Sequence, residues 1–261
     1  MTSEQHDDPA PYSYRLDPSL KGIVIALEGV DGVGKTTHTD ALAAGLKRAI
    51  LAGREREGER NVVVGKRHHA PPPESLHGNL IHHAVWFAAQ RFRAFDIMQQ
   101  DPTVARVDVW DRWWHSSATL GFAMRADTLE RLARSEDAVW HARMGAPPED
   151  RAGSTPARGI IPVVPVLLTA TPETLAARME ARAAEGKASA VDRDANQQRA
   201  MALRYLALAE DLRWPIFSTD ETGGADGGSH EGRAACERAI LRGVLQHLCR
   251  KHYLWPIHPS R

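Results

Sequence analysis

Five short runs of mainly apolar, often β-branched residues alternate along this chain with longer stretches whose apolar positions recur every three or four residues. The runs are Gly22 to Leu27, Asn61 to Gly65, Ala105 to Trp110, Val163 to Thr169 and Trp214 to Ser218. Short runs without an exposed face suit strands buried on both sides of a sheet. Leu42, Leu46 and Ile50 stand four apart after the first run and Gly53 follows, so the pattern predicts an amphipathic helix closed by a glycine. A second helix is predicted from about Leu76 to Gln100. Thr171-Pro172-Glu173 opens a third with a capping Thr, Pro in the first helical position and an acid in the first turn. A fourth spans roughly Ala195 to Glu210. Strands that cross over through helices build a parallel sheet, so the expected class is α/β. Residues 1–19, 145–158 and 221–232 interrupt the alternation with Pro, Gly, Ser and charge, and read as a flexible N-terminal tail and two loops. Residues 20–261 are therefore expected to form a single domain, with 145–158 an insertion in it.

Composition narrows the functions open to such a domain. The 33 Lys and Arg balance 33 Asp and Glu, without the basic excess that nucleic-acid and anionic-membrane binders use to neutralise phosphates. No nucleic acid and no membrane is expected as a partner, and any anion must be held by a local site. Hydrophobic residues make up 43% of the chain, enough for a real core in one large domain. Two cysteines, Cys236 and Cys249, are too few for a disulfide framework. The N-terminus is acidic where an export signal would be basic and then apolar, and the apolar run from Ile160 to Ala170 is broken by two prolines. A cytoplasmic location is the expectation.

The sharpest chemical signal is Gly29-Val30-Asp31-Gly32-Val33-Gly34-Lys35-Thr36, which satisfies G-x-x-x-x-G-K-[ST] between a predicted strand and a predicted helix. Glycines let backbone N–H groups turn inward around phosphate oxygens, and the helix that follows adds a favourable dipole. Gly29, Asp31, Gly32, Val33, Gly34, Lys35, Thr36 and Thr37 are thus the candidate ATP-phosphate residues, Lys35 reaching the β- and γ-phosphates and the Thr36 hydroxyl ligating Mg²⁺. At the end of the third run stands Asp111-Arg112-Trp113, followed by Ser116-Ser117. An Asp at the C-terminal end of a strand beside such a loop can hold Mg²⁺ through water, and the adjacent Arg can clamp a phosphate with its planar fork. On the second helix, Phe87 and Arg91 stand four apart and share one face.

The segment Ile25 to Thr37, the Asp111-Arg112-Trp113 signature, Phe87-Ala88-Ala89-Gln90-Arg91 and the run Arg204 to Ala209 together resemble thymidylate kinases, over most of residues 20–220. The resemblance implies a three-layer P-loop fold with a helical lid near 178–195, the cofactors ATP and Mg²⁺, and transfer of a phosphoryl group to dTMP. By the same resemblance Asp31 contacts the acceptor sugar, Phe87 and Ser117 the base, and Arg91 and Arg112 the monophosphate. Homodimers are common in that family. Lid arginines would neutralise charge in the transition state. The P-loop has Gly32 where some members carry Arg, so the lid should supply that cation, with Arg182 and Arg193 the candidates and Arg178 behind them.

Several positions depart from the family. Lys66-Arg67-His68-His69-Ala70-Pro71-Pro72-Pro73 replaces an Arg-Glu-Pro type of segment, leaving Arg67 to keep the arginine role; Gln90 stands for Asp, and Leu120 for a Tyr beside the sugar. These changes fall on the acceptor side and admit two rivals, a kinase with another nucleotide or nucleoside acceptor and a nucleotide-binding protein without turnover. The histidines at 68, 69, 77, 82 and 83 lack an accompanying Cys and the spacing of a closed zinc site. Trp110 is expected in the core beside the site, and Trp113 serves as the aromatic of the Asp-Arg signature.

Overall fold

The structure is a computed structural model of the 261-residue chain and describes residues 13–51, 61–76, 79–101, 103–144, 160–186, 194–220 and 230–257. Along the chain these form β1 (Ser13–Leu16), β2 (Gly22–Glu28), α1 (Lys35–Leu51), β3 (Asn61–Arg67), α2 (Leu80–Gln100) and β4 (Val104–Asp111). There follow α3 (Trp114–Ala123), α4 (Asp127–Met144), β5 (Val163–Thr169), α5 (Pro172–Ala184), α6 (Ala195–Asp211), β6 (Ile216–Ser218), α7 (His230–Arg250) and β7 (Leu254–Ile257). A single 3₁₀ turn, Glu74–Leu76, precedes α2.

Five strands make a parallel sheet in the order β3-β4-β2-β5-β6, so all five sequence runs lie in one sheet. β2 takes the centre, and all seven of its residues are buried. Its side chains alternate between two cores, as a strand must. Ile23, Ile25 and Leu27 join a large cluster with Leu42 and Leu46 of α1 and Ile240, Val244 and Leu248 of α7. Val24 and Ala26 face a second cluster with Ala94, Phe95 and Met98 of α2 and with Trp110 and Trp113. Helices therefore cover both faces, giving the three-layer α/β fold of a P-loop protein. Among the described residues no helix is long and apolar enough to cross a membrane.

Local capping sets several boundaries as the sequence implies. Thr171 accepts from the Thr174 N–H with Pro172 next in line, and Asp194 accepts from Asn196 and Gln197 at the start of α6. Residue 80 opens α2, not 76, because the Asn79 side chain accepts from Ile81 and His82 and so fixes the first turn. Residues 13–16 of the expected tail are a strand. β1 pairs antiparallel with β7, Ser13 opposite Ile257 and Leu16 opposite Leu254, and Leu16 and Leu20 are buried. Its partner is at the other end of the chain, beyond the reach of local periodicity. The helices α3, α4 and α7 lie outside the elements predicted, and residues 230–232 of the expected last loop open α7. The 145–158 insertion lies outside the described residues.

Candidate active site

β2, β4 and β5 end together at one edge of the sheet, and the Gly29–Lys35 segment turns there into α1. The order of strands reverses across β2, so this edge is the crevice in which open α/β sheets bind ligands. Gly29, Gly32 and Gly34 have φ values of 138, 86 and 86 degrees, a region that suits glycine and lets the loop curl. A Cβ on Gly29 would lie 2.5 Å from the Leu168 carbonyl oxygen, so backbone approaches backbone here. Val33 is buried within the loop, and Thr37 lies in the first turn of α1.

Lys35 is 5% exposed, and its ammonium donates to the Val30 carbonyl at 2.7 Å and lies 3.6 Å from Asp31. Burial pulls its pKa down to about 8, with the Arg112 guanidinium adding to the fall and Asp31, Asp111 and Glu28 resisting it. The Thr36 hydroxyl donates to Asp111 Oδ2 at 2.5 Å, while Asp111 Oδ1 is buried with no hydrogen-bond partner. A hydroxyl oxygen and a carboxylate with an unused buried oxygen form a donor set that fits Mg²⁺.

Beside the loop opens a cleft of about 390 Å³. Asp31, Phe87, Arg91, Arg112 and Ser117, five of the six residues expected to bind the acceptor, line it together, and Leu120 lines it as well. Its remaining wall is mostly apolar, with Leu80, Ala84, Trp113, Leu129 and Met201. Arg112 has a φ of 73 degrees, uncommon for a side chain of its kind. It is held there by its N–H to Leu27 O, by a guanidinium bond to Asp31 and by Nη1 to Ser116 Oγ at 3.4 Å.

The sixth acceptor candidate is placed elsewhere. Arg67 bonds Asp108, a fully buried carboxylate, at 2.6 Å and does not line the cleft, because an unpaired charge inside the sheet would be costly. Arg91 lines the cleft but its fork closes on Glu136 of α4, Nε to Oε1 at 2.5 Å and Nη2 to Oε2 at 2.6 Å. Both side chains are buried, so the pairing satisfies two charges at once. Arg178, one of the lid candidates, donates instead to Gly32 O at 3.1 Å and to Thr219 O at 2.7 Å, bracing the P-loop from behind. Arg182 is one turn further along α5, in its last turn. Arg193 lies outside the described residues.

Four contributors have no role assigned from the sequence. Glu28, fully buried at the end of β2, accepts from the Trp113 N–H at 2.9 Å and from Ser116 Oγ at 2.6 Å, with Tyr205 OH at 3.3 Å. Trp113 offers no side-chain cap to α3, so this carboxylate ties down the start of the helix that carries Ser116 and Ser117. His69 packs its ring 5.0 Å from Phe87 and 5.1 Å from Trp110. Burial, then Arg91, pulls its pKa to about 3, so it is neutral; its Nε2 carries the hydrogen, donated to Arg112 O at 3.2 Å, since a carbonyl only accepts. Gln90 bonds both the N–H and the carbonyl of Ala70, at 2.7 and 3.2 Å, and so pins the loop that departs from the family pattern. Glu136 is the fourth. An acid one turn ahead of an Arg or Lys has a visible helical partner, whereas Glu28 and Glu136 find theirs only across the fold.

His68 lies between Asp40, at 3.3 Å, and Asp111, at 3.9 Å. His82 is exposed, His83 lines the cleft, and His77 is outside the described residues. Among the described residues no group of three or more His, Cys, Asp or Glu is arranged to hold a metal ion.

No family model matches the chain, and no curated protein matches its sequence. Solved structures similar to it include a thymidylate kinase from Ehrlichia chaffeensis, at 15% sequence identity, covering 86% of this chain and 99% of that one with a TM-score of 0.47.

Proposed function

We propose that the protein is a P-loop phosphotransferase that moves the γ-phosphoryl group of ATP to a nucleoside monophosphate, with dTMP the first candidate, in one kinase domain that takes in β1 as well as residues 20–261. The observation that carries this reading is the junction of the two half-sites. Asp31 belongs to the P-loop and lines the acceptor cleft as well, next to Lys35 on one side and Arg112 on the other.

On this reading the N–H groups of Gly32 to Thr37 and the Lys35 ammonium hold the donor phosphates. Thr36 and Asp111 would hold Mg²⁺, which when bound neutralises phosphate charge. Phe87 and Trp113 supply flat apolar surface for a base, and Ser117 a hydroxyl beside it. Arg112, once released from Asp31, holds the acceptor phosphate in line, and the freed Asp31 carboxylate faces the sugar. An ionised acceptor phosphate is already a nucleophile, so positioning does most of the work and no general base is needed. A cation from α5 or from the segment after it, Arg182 or Arg193, is suited to the migrating phosphoryl group.

ADP release measured with dTMP, dUMP, UMP, CMP and thymidine tests the proposal. The strongest signal should come with dTMP, and Lys35→Ala should lose nearly all of it. A profile led by another acceptor would replace dTMP, and no release with any of them, in a protein that binds ATP, would leave a nucleotide-binding protein without turnover.

A further inference from the structure

Among the described residues three charged side chains line the acceptor cleft, and each is already paired. The two pairs differ in kind. Arg112 and Asp31 are both about a quarter exposed, so an arriving anion can take the place of the carboxylate while water receives it. Arg91 and Glu136 are 2% and 6% exposed and joined by two parallel bonds. The Arg91 guanidinium also lies 5.7 Å from the Trp113 ring. Displacing Glu136 would break two parallel bonds between charges shielded from water, among the costliest changes a protein interior can undergo. His69 offers no second anion-like partner, because its nearest nitrogen, 3.5 Å from Arg91, carries the hydrogen given to Arg112 O.

We propose that Glu136 is a specificity-determining residue for the acceptor: by neutralising Arg91 it confines the acceptor's phosphate to the P-loop wall, at Arg112, and requires an uncharged group against the wall formed by α2 and α4. The inference rests on the kinase reading of the site and names its acceptor class, a molecule anionic at one end and neutral at the other. Arg91 is then a positioning residue that fixes the wall, and the i, i+4 pairing with Phe87 places an aromatic face beside it.

The test is the phosphate increment, the ratio of the dissociation constants of thymidine and dTMP, read by titration calorimetry on the full chain. A ratio within one variant is insensitive to general damage. In the unaltered protein dTMP should bind at least about tenfold more tightly than thymidine, as expected for one charge-assisted clamp. Arg112→Gln should bring the ratio close to one. Glu136→Gln removes the charge that neutralises Arg91, so the ratio should rise by about fivefold or more. The double variant Arg91→Met/Glu136→Leu keeps a neutral, filled wall and should hold the ratio within about threefold, apolar replacement of a buried pair being well tolerated. An unchanged or lower ratio in Glu136→Gln, or a collapse in the double variant like that of Arg112→Gln, overturns the proposal. Where thermal melting shows Glu136→Gln unfolded, the double variant decides alone. ADP release without these ratio changes removes the Glu136 role and leaves the kinase reading; the expected ratios without ADP release do the reverse. Binding of neither thymidine nor dTMP removes this inference, while ADP release on another acceptor would still leave a kinase.

Discussion

The proposed donor and acceptor sides of this crevice share a wall but are built in opposite ways. The donor side is nearly continuous in sequence, one loop and the first turn of α1, and its shape follows from three glycines at positive φ. The acceptor side is assembled from the end of β4, from α2, α3 and α6 and from α4 behind them, with Arg91, Arg112 and Ser116 each fixed by a residue distant in the chain. A site made by local backbone conformation tolerates little change in its own residues, whereas one made by side-chain pairing can change specificity by exchanging a single partner. Arg112 and Arg91 show this within one cleft: the first is paired where solvent can compete, the second where it cannot.

Perturbing each side in turn sharpens the contrast. Lys35→Ala should cut turnover by about 10³-fold, read as ADP release, with circular dichroism and melting unchanged, since the lost group is a buried cation whose pKa has fallen to about 8. A similar loss with Lys35 intact and the cleft altered would mean that the donor side is not the dominant half. Gly29→Ala meets Leu168 O at 2.5 Å and should destabilise by about 2 kcal/mol or more and weaken ATP, in a melting and binding experiment. Gly32→Ala, 3.2 Å from the flexible Met179 Sδ, should cost less, about 1 kcal/mol, from its positive φ. Phe87→Ala should raise the acceptor KM about tenfold and leave the ATP KM within about twofold, steady-state kinetics showing whether the two sides are separable. The smallest effect is a proton count. Near pH 8 to 9 Lys35 is partly neutral, and bound phosphates favour its charged form, so ATP binding should take up a fraction of a proton. Calorimetry in buffers of different ionisation enthalpy would read it, and Lys35→Ala should abolish it.

How much of this could be read without coordinates varies by residue. Five strands of the main sheet, the Thr171 cap and the P-loop are each encoded within about ten consecutive residues. Phe87, Arg91, Asp31, Arg112 and Ser117 were legible as one site through family resemblance, and they do line one cleft. Arg67 and Arg178 were legible as basic residues near phosphates but not as residues committed to Asp108 and to Gly32 with Thr219. The helix α3 has a weak local signal: it lacks a capping side chain of its own and borrows Glu28.

The sequence by itself determined the α/β class, the strand that leads into the phosphate loop and the identity of the cation there, because periodicity, glycine placement and capping act over a few neighbouring residues. Only the tertiary structure decided which charges remain available to a ligand. That depends on whether a partner of opposite sign is brought within about 3 Å and shielded from water, and no spacing along the chain specifies it for Arg91 and Glu136 or for Glu28 and Ser116.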